Sequence, residues 1–316
     1  YECLARMLRD NDKETFISMS AEEIKKRVEF YAEKYLNENL AGKFGKNNSF
    51  GFLFRKLIET IVLVLIHLQQ ELQVTSFTPV AFEAELSKQY SLRLDLENGQ
   101  RISFGGIIDR ADTCIIGDKK YLRVIDYKSS RKKITAESIA GGINLQMLLY
   151  LFTATEKNGM FSDAVPAGVL YSPVYPEEND KEDGMKSSLK STGLVLGQMK
   201  VLNAMELGIN GEFIPVKFKK NSKELMSSNN SCITSSGMKW IKNYVYDILR
   251  KMAVSLLDGD VDALPQCTGN YAPCDYCEYV NICDNSLLTR YRTPDEKTIE
   301  EAKEILSQHL EKTEEN

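Results

Sequence analysis

One short stretch, residues 105–150, constrains the fold more than any other part of the chain. Two apolar runs typical of strands end in acidic residues, GGIID at Asp109 and VID at Asp126, and the helical pattern NLQMLLYL follows them. Because side chains alternate along a strand, Asp126 and Lys128 lie on the same face. The pattern therefore predicts neighbouring strands that present polar groups together at their ends.

These polar groups suit the metal-dependent hydrolysis of a phosphate ester. Glu83, on an earlier predicted strand, offers a third carboxylate beside Asp109 and Asp126. Mg²⁺ prefers oxygen ligands and keeps several waters, so two or three carboxylates are enough to bind it. We expect Asp109, Asp126 and Glu83 to bind one Mg²⁺ or Mn²⁺, with Lys128 orienting water or stabilising charge. The alternative is that each acid is an ordinary turn or cap residue.

Composition fits a soluble α/β protein. The chain has 316 residues, 43% hydrophobic and 27% charged, and its longest apolar run, 61–66, is far shorter than the ~20 residues of a membrane span. No secretory signal opens the chain, so we predict a cytoplasmic protein. The chain begins in what reads as mid-helix, which suggests a fragment. A net charge of −5 argues against a passive DNA coat and only weakly against a nuclease.

Hydrophobic periodicity predicts three regions. Residues 1–78 form an N-terminal helical arm with helices over 21–40 and 50–72, residues 79–260 form the α/β core, and residues 261–316 form a cysteine-rich segment with a terminal helix. The fold class is a central mixed sheet flanked by helices.

Local signals within these regions predict further elements. Asn98-Gly99 predicts a hairpin turn, and Thr293 followed by Pro294 predicts the start of the last helix, which runs to residue 310. The remaining expectations are a strand over 167–175, helices over 143–154 and 240–257, and a charged loop over 177–191.

The cysteines indicate a second kind of site. Four of the seven, Cys267, Cys274, Cys277 and Cys283, fall within 17 residues. A disulfide framework is not expected in a long chain without a secretory signal. Soft thiolates suit an iron–sulfur cluster or Zn²⁺.

Taken together, these motifs resemble the RecB-type nucleases of the PD-(D/E)XK superfamily. The matching segments are PVAFEAEL (79–86), GGIIDRAD (105–112), VIDYKSS (124–130), Q-x-x-x-Y (146–150), PAGVLYSPVY (166–175), STGLVLG (191–197) and PCDYCEYVNIC (273–283). The resemblance covers about residues 20 to 284. It implies a restriction-endonuclease-like core and Mg²⁺-dependent cleavage of a DNA strand, within a bacterial helicase–nuclease complex that processes double-strand breaks.

The same resemblance implies a partner and assigns roles to residues. A helicase delivers the single strand, and the partner is an AddA-type helicase–nuclease subunit in a heterodimer. No P-loop motif occurs in this sequence, so ATP hydrolysis belongs elsewhere. Asp109 and Asp126 match the family's metal ligands, Lys128 its catalytic lysine and Glu83 the acid of the preceding strand.

Two residues match positions that contact DNA in the family, and Arg110 is a further candidate for such a contact. Gln146 and Tyr150 stand four residues apart, on one helix face. Either they contact the strand near the scissile phosphate, or they border the core stripe of the helix. Arg110 either contacts a phosphate or pairs with Asp112.

The resemblance also implies a [4Fe–4S] cluster on Cys274, Cys277 and Cys283, completed by one upstream thiolate. The candidates for that ligand, in order, are a cysteine upstream of this sequence, Cys3 and Cys267. If the ligand lies upstream, we expect the cluster only in the full-length protein. The histidine that many family members carry on the first helix is also missing here, with Tyr1 about in its place.

Other functions remain open. A CRISPR-associated or stand-alone exonuclease of the same superfamily would share the two main motifs. A nuclease-dead module that only holds DNA would be expected to lose one of Asp109, Asp126 and Lys128, all of which are present. A structural zinc domain would explain the cysteines but not the acids.

Overall fold

The computed structural model describes residues 2–40, 48–86, 90–175, 189–219, 231–267, 272–283 and 291–310. The fold is α/β, with a six-stranded mixed sheet flanked by helices, as the sequence predicts. The charged loop predicted over 177–191 lies, up to residue 188, outside the described residues.

The helices are, in chain order, α1 (Glu2–Arg9), α2 (Lys13–Ser18), α3 (Ala21–Leu40), α4 (Asn48–Val74), α5 (Ala136–Ala140), α6 (Gln146–Thr155), α7 (Met199–Met205), α8 (Ser235–Leu257) and α9 (Glu296–Ser307). The strands are β1 (Thr78–Glu85), β2 (Leu92–Asp95), β3 (Arg101–Phe104), β4 (Ile107–Ile116), β5 (Lys119–Lys128), β6 (Ala164–Pro173), β7 (Thr192–Leu196) and β8 (Cys232–Ile233). A short 3₁₀ helix covers Pro273–Tyr276.

The central sheet has the order β1-β4-β5-β6-β7-β8. The pairs β5–β6 and β7–β8 are parallel, and the other neighbours are antiparallel. Strand β5 carries an unbroken buried run from Tyr121 to Asp126, as expected for a central strand covered on both faces. Side chains of α6 and α8 join the core on one face, and those of α7 join the core on the other.

Helices α1 to α4 build a third core of their own around residues such as Phe16 and Leu65. The predicted helices over 21–40 and 50–72 are therefore found. Phe82, Tyr127 and Val174 of the sheet region pack against this core, so the arm lies directly on the strands. None of the helices in the described ranges is long and apolar enough to span a bilayer.

The predicted hairpin turn at Asn98-Gly99 is found between β2 and β3, where Gly99 adopts a φ of 78°. This hairpin forms a separate two-stranded sheet. The run RISFGGIID is not one strand, because the chain leaves the extended conformation at Gly105 and Gly106, between β3 and β4. Two consecutive glycines weaken a strand, which explains the break.

The start of the last helix was predicted wrongly. Helix α9 begins at Glu296, because the side chain of Asp295 accepts a hydrogen bond from the Thr298 amide and so caps the helix. Thr293 and Pro294 therefore precede the helix, which ends at Ser307, not at residue 310. Helix α6 starts at Gln146, three residues later than expected, and the short helix α5 was not predicted.

Candidate active site

Three acids lie in a row across neighbouring strands. In the pairing of β1 and β4, Phe82 lies opposite Arg110 and Ala84 opposite Ile108, so Glu83 and Asp109 occupy the positions between these pairs. The pairing of β4 and β5 ends with Arg110 opposite Ile125, and Asp109 and Asp126 are the next residues beyond this last pair. The charges of Asp126 and Glu83 both act on the carboxyl group of Asp109, so the three acids are neighbours.

Asp126 is the most buried of these acids, at 6% exposure. Lys128 Nζ lies 2.6 Å from Asp126 Oδ2, so the two form an ion pair by distance. No donor in the described ranges forms a hydrogen bond with this buried oxygen. A buried carboxylate oxygen without a hydrogen bond is costly unless a cation binds it. The ion pair accounts for part of the compensation, and the oxygen retains coordination capacity for a metal.

Asp109 is half-buried and accepts a hydrogen bond from the Tyr127 backbone amide at 3.0 Å. Burial raises the pKa of its carboxyl group, and the nearby charges of Asp126 and Glu83 raise it further, while the amide of Tyr127 and the ammonium of Lys128 act against the rise. Burial is the largest cause of the rise.

Glu83 lies at the exposed edge of the row. Its carboxylate pairs with Arg9 of α1 at 3.0 Å, and its backbone φ is 49°. A positive φ is uncommon for a residue other than glycine, and such strain concentrates at functional sites. We expected Glu83 to converge with Asp109 and Asp126 as a third ligand. In this structure Arg9 holds its carboxylate instead.

A divalent metal ion needs several ligand atoms at one point. The described residues include no group of three or more His, Cys, Asp or Glu side chains arranged to hold such an ion. The carboxylates of Asp109 and Asp126 are near neighbours, and Asp126 Oδ2 is buried without a hydrogen bond. Mg²⁺ is commonly bound by one or two carboxylates, with water in the other positions. The donor set at Asp109 and Asp126 therefore fits Mg²⁺ or Mn²⁺.

Helix α6 brings its two predicted residues to the start of β4. Gln146 is exposed and donates from Nε2 to the Tyr150 hydroxyl at 3.0 Å, whereas Tyr150 is buried in the core beneath it. A Cβ added to Gly106 would lie only 2.3 Å from the Tyr150 hydroxyl. A glycine at position 106 is therefore needed for Tyr150 to approach the strand that carries Asp109. Of the pair, only Gln146 is placed to reach a ligand.

Arg110 requires a correction. Its guanidinium is 1% exposed and donates to both oxygens of Asp112, at 2.7 and 2.6 Å. It follows Asp109 in β4, so it points to the opposite face of the sheet. The structure thus shows the pairing with Asp112, and a guanidinium buried in this way cannot contact a DNA phosphate.

Tyr171 is a neighbour of the site that the sequence did not indicate. It lies opposite Asp126 in the parallel pairing of β5 and β6, and it is 5% exposed. Burial, followed by the charge of Asp126, raises the pKa of its hydroxyl to about 12. The residue stands within PAGVLYSPVY, but only the register of β6 against β5 reveals its position.

The cysteine-rich segment places four thiols near one another. Burial raises the pKa of Cys274, and the neighbouring thiols of Cys277, Cys267 and Cys283 add to the rise. Cys3 lies elsewhere, in the apolar core of the helical arm, where it is buried. The thiols do not form a metal-binding group within the part of the chain that the structure describes.

Comparison with known proteins identifies the class. Residues 3–284 match the family model of the PD-(D/E)XK nuclease superfamily. The chain belongs to this superfamily, and its sheet with flanking helices agrees with that fold.

The similar proteins narrow this further. The chain is 29% identical over 288 residues to the B subunit of the ATP-dependent helicase/deoxyribonuclease of Exiguobacterium sibiricum, covering 85% of this chain and 25% of that protein. It is 28% identical over 272 residues to the protein of the same name from Clostridioides difficile, covering 79% of this chain and 23% of that protein. The chain therefore spans about a quarter of the length of the relatives it matches.

Proposed function

We propose that this chain hydrolyses DNA phosphodiester bonds with Mg²⁺ or Mn²⁺, as the nuclease part of a bacterial helicase–nuclease that processes double-strand breaks for recombinational repair. One observation carries the proposal. The carboxylates of Asp109 and Asp126 are near neighbours on adjacent strands, Lys128 Nζ lies 2.6 Å from Asp126, and Asp126 keeps a buried oxygen without a hydrogen bond. A structural zinc domain would not require this arrangement.

In this proposal each residue has a distinct role. Asp109 and Asp126 would hold the ion, and Glu83 would join them only after separating from Arg9. The bound metal ion supplies a water of lowered pKa and neutralises charge on the phosphate. Lys128, which is about one-third exposed, orients the water or stabilises developing charge.

Helix α6 and the partner complete the proposed substrate path. Exposed Gln146 contacts the DNA strand, and buried Tyr150 orients Gln146 through their hydrogen bond. The substrate is a single strand delivered by a helicase, and the partner is an AddA-type helicase–nuclease subunit. The names of the similar proteins, which join helicase and deoxyribonuclease, support this assignment.

The cysteine-rich segment is proposed to bind a [4Fe–4S] cluster through Cys274, Cys277 and Cys283. The fourth ligand comes from upstream of this sequence, from Cys3 or from Cys267. The electrostatic contact between Cys267 and Cys274 favours Cys267 among the two that this chain offers. Visible absorbance of the protein purified without oxygen, compared with Cys267→Ser, tests both the cluster and this ligand.

The nuclease proposal is tested with end-labelled single-stranded DNA. Wild type should cleave it with Mg²⁺ or Mn²⁺, and EDTA should stop the reaction. Asp126→Asn should abolish cleavage, because it removes the ligand charge at nearly constant volume. Asp163→Asn is the control, since Asp163 forms an exposed ion pair with Lys120 at the other end of β5.

Two outcomes contradict the proposal. Wild type that binds the strand but cleaves nothing with either metal would indicate a nuclease-dead module. Asp126→Asn with the wild-type rate would show that this row of acids is not the active site.

A further inference from the structure

A buried network of charges lies behind the row of acids. Arg110 donates twice to Asp112, and Arg123 donates to Asp112 Oδ2 at 3.0 and 2.8 Å and to Glu71 at 2.6 Å. The side chains of Arg110, Arg123 and Asp112 are at most 1% exposed, and that of Glu71 is 11% exposed. Two cations therefore face two anions in a space closed to water.

The network joins the helical arm to the strands that carry the site. Glu71 belongs to α4, Arg110 and Asp112 belong to β4, and Arg123 belongs to β5. Paired guanidinium–carboxylate hydrogen bonds fix direction as well as distance. Buried ion pairs of this kind add little net stability compared with apolar packing, so their effect on geometry is the more informative property.

Tyr127 connects this network to the acids. Arg110 Nη1 donates to the Tyr127 hydroxyl at 3.0 Å, and the Tyr127 backbone amide donates to Asp109 Oδ2 at 3.0 Å. Its ring packs against both the arm core and the sheet core. Since Tyr127 stands between Asp126 and Lys128, a shift of its ring moves the backbone of both neighbours.

We infer that Tyr127 is a positioning residue for the metal site, and that Glu71, through the two arginines, makes this positioning depend on how helix α4 is docked. The inference rests on the proposed function, in which Asp109 and Asp126 bind the metal. It assigns the helical arm a part in setting the geometry of the site. A group that orients a metal ligand in this way typically affects metal affinity ~10–100-fold.

The first test uses Tyr127→Phe, which keeps the ring and removes the hydroxyl. Tyr244→Phe is the matched control, because the Tyr244 hydroxyl also makes one hydrogen bond, to the Ala140 carbonyl at 2.8 Å. We expect Tyr127→Phe to speed hydrogen exchange of the Tyr127 amide and to weaken Mg²⁺ binding by about threefold to tenfold, below the usual range because the amide itself remains. Tyr244→Phe should change neither quantity.

The second test measures coupling to the arm. Glu71→Gln keeps the shape of the side chain and removes its charge. Residues that act through one network show non-additive effects, so Glu71→Gln and Tyr127→Phe should weaken Mg²⁺ binding together by less than the product of their separate factors. Calorimetry supplies the affinities, and the thermal midpoints show whether each variant is folded.

The outcomes separate this inference from the proposed function. If Tyr127→Phe and Tyr244→Phe have the same amide exchange and the same Mg²⁺ affinity, the role of Tyr127 is overturned. If the effects of Glu71→Gln and Tyr127→Phe on Mg²⁺ affinity multiply fully, the link to the arm is overturned. If Glu71→Gln does not fold, the comparison of the two tyrosine variants still decides the role of Tyr127. If wild type neither binds Mg²⁺ nor cleaves DNA, the proposed function fails, while the amide exchange still tests the positioning.

Discussion

Replacing Asp112 by Asn tests how the buried network contributes to stability. Asp112 is fully buried and accepts four hydrogen bonds from Arg110 and Arg123, at 2.6 to 3.0 Å. Asn has nearly the same volume, but its side-chain NH₂ group is a hydrogen-bond donor and would face the N–H donors of the guanidinium groups. Two buried cations would then face only the carboxylate of Glu71. Breaking a buried ion pair from one side costs ~3–5 kcal/mol of unfolding free energy.

This cost converts into a change of melting temperature. At ~2.1 cal/mol/K per residue, 316 residues give an unfolding entropy of about 0.66 kcal/mol/K for a single cooperative transition. The melting temperature of Asp112→Asn should therefore fall by about 4–8 °C, measured by circular dichroism or calorimetry. Asp95→Asn is the control, because Asp95 also lies 2.6 Å from an arginine nitrogen, that of Arg101, but at the exposed surface. Its melting temperature should stay close to that of wild type.

The pH dependence provides an independent check. Burial raises the pKa of Asp112, but the charges of Arg110 and Arg123 outweigh it and hold this pKa below its usual value. A lowered pKa contributes stability that is present above the unfolded-state pKa, near 3.9, and lost as the pH falls through the folded-state pKa. The difference between wild type and Asp112→Asn should thus be constant from about pH 7 to 5 and narrow below about pH 4. A loss for Asp112→Asn no larger than that for Asp95→Asn, or a difference that widens in acid, would refute the reasoning.

Three further variants test the site itself. Lys128→Ala should lower the cleavage rate by ~10²–10³ with little change in melting temperature. Lys120 is equally exposed on the same strand, so Lys120→Ala is the control and should leave the rate unchanged. A large drop in melting temperature for Lys128→Ala alone would indicate that Lys128 forms a structural ion pair. Gly106→Ala should cost ~1–3 kcal/mol of unfolding free energy and slow cleavage, because its Cβ would force Tyr150 away. In a Tyr150→Ala background, the same substitution should lower the unfolding free energy, measured in urea, by much less. Because burial raises the pKa of Asp109, its ionisation destabilises the metal-free fold as the pH rises through that pKa. Asp109→Asn should therefore melt above wild type at pH 7 without metal while losing cleavage, and this advantage should disappear below about pH 4.

The sequence was informative where the chemistry depends on local spacing. Asp126 and Lys128 share a face because a strand alternates, and both Asp109 and Asp126 follow apolar runs that mark buried strands. The helices of the arm were also predictable, since their apolar residues recur at helical spacing over about 20 residues. Each of these features is determined within one element.

The features that were missed depend on pairing between distant parts of the chain. Arg110 was open to two interpretations because its other partners, Tyr127 and Glu71, are supplied by other elements. Tyr171 joined the site only through the register of β6 against β5. Residues Thr293 and Pro294 form a reasonable start signal, but a better N-cap two residues later, Asp295, competed with them.

The helical arm forms charged contacts with two strands of the sheet. Arg9 of α1 pairs with Glu83 of β1, and Glu71 of α4 pairs with Arg123 of β5. Charged contacts therefore cross the proposed boundary at residue 78 in two places. Deleting the arm would leave Arg123 with less negative charge around it in a buried position, which is costly. For this reason we expect the arm and the sheet to unfold together, and the geometry of the acids to depend on residues far from them in the chain.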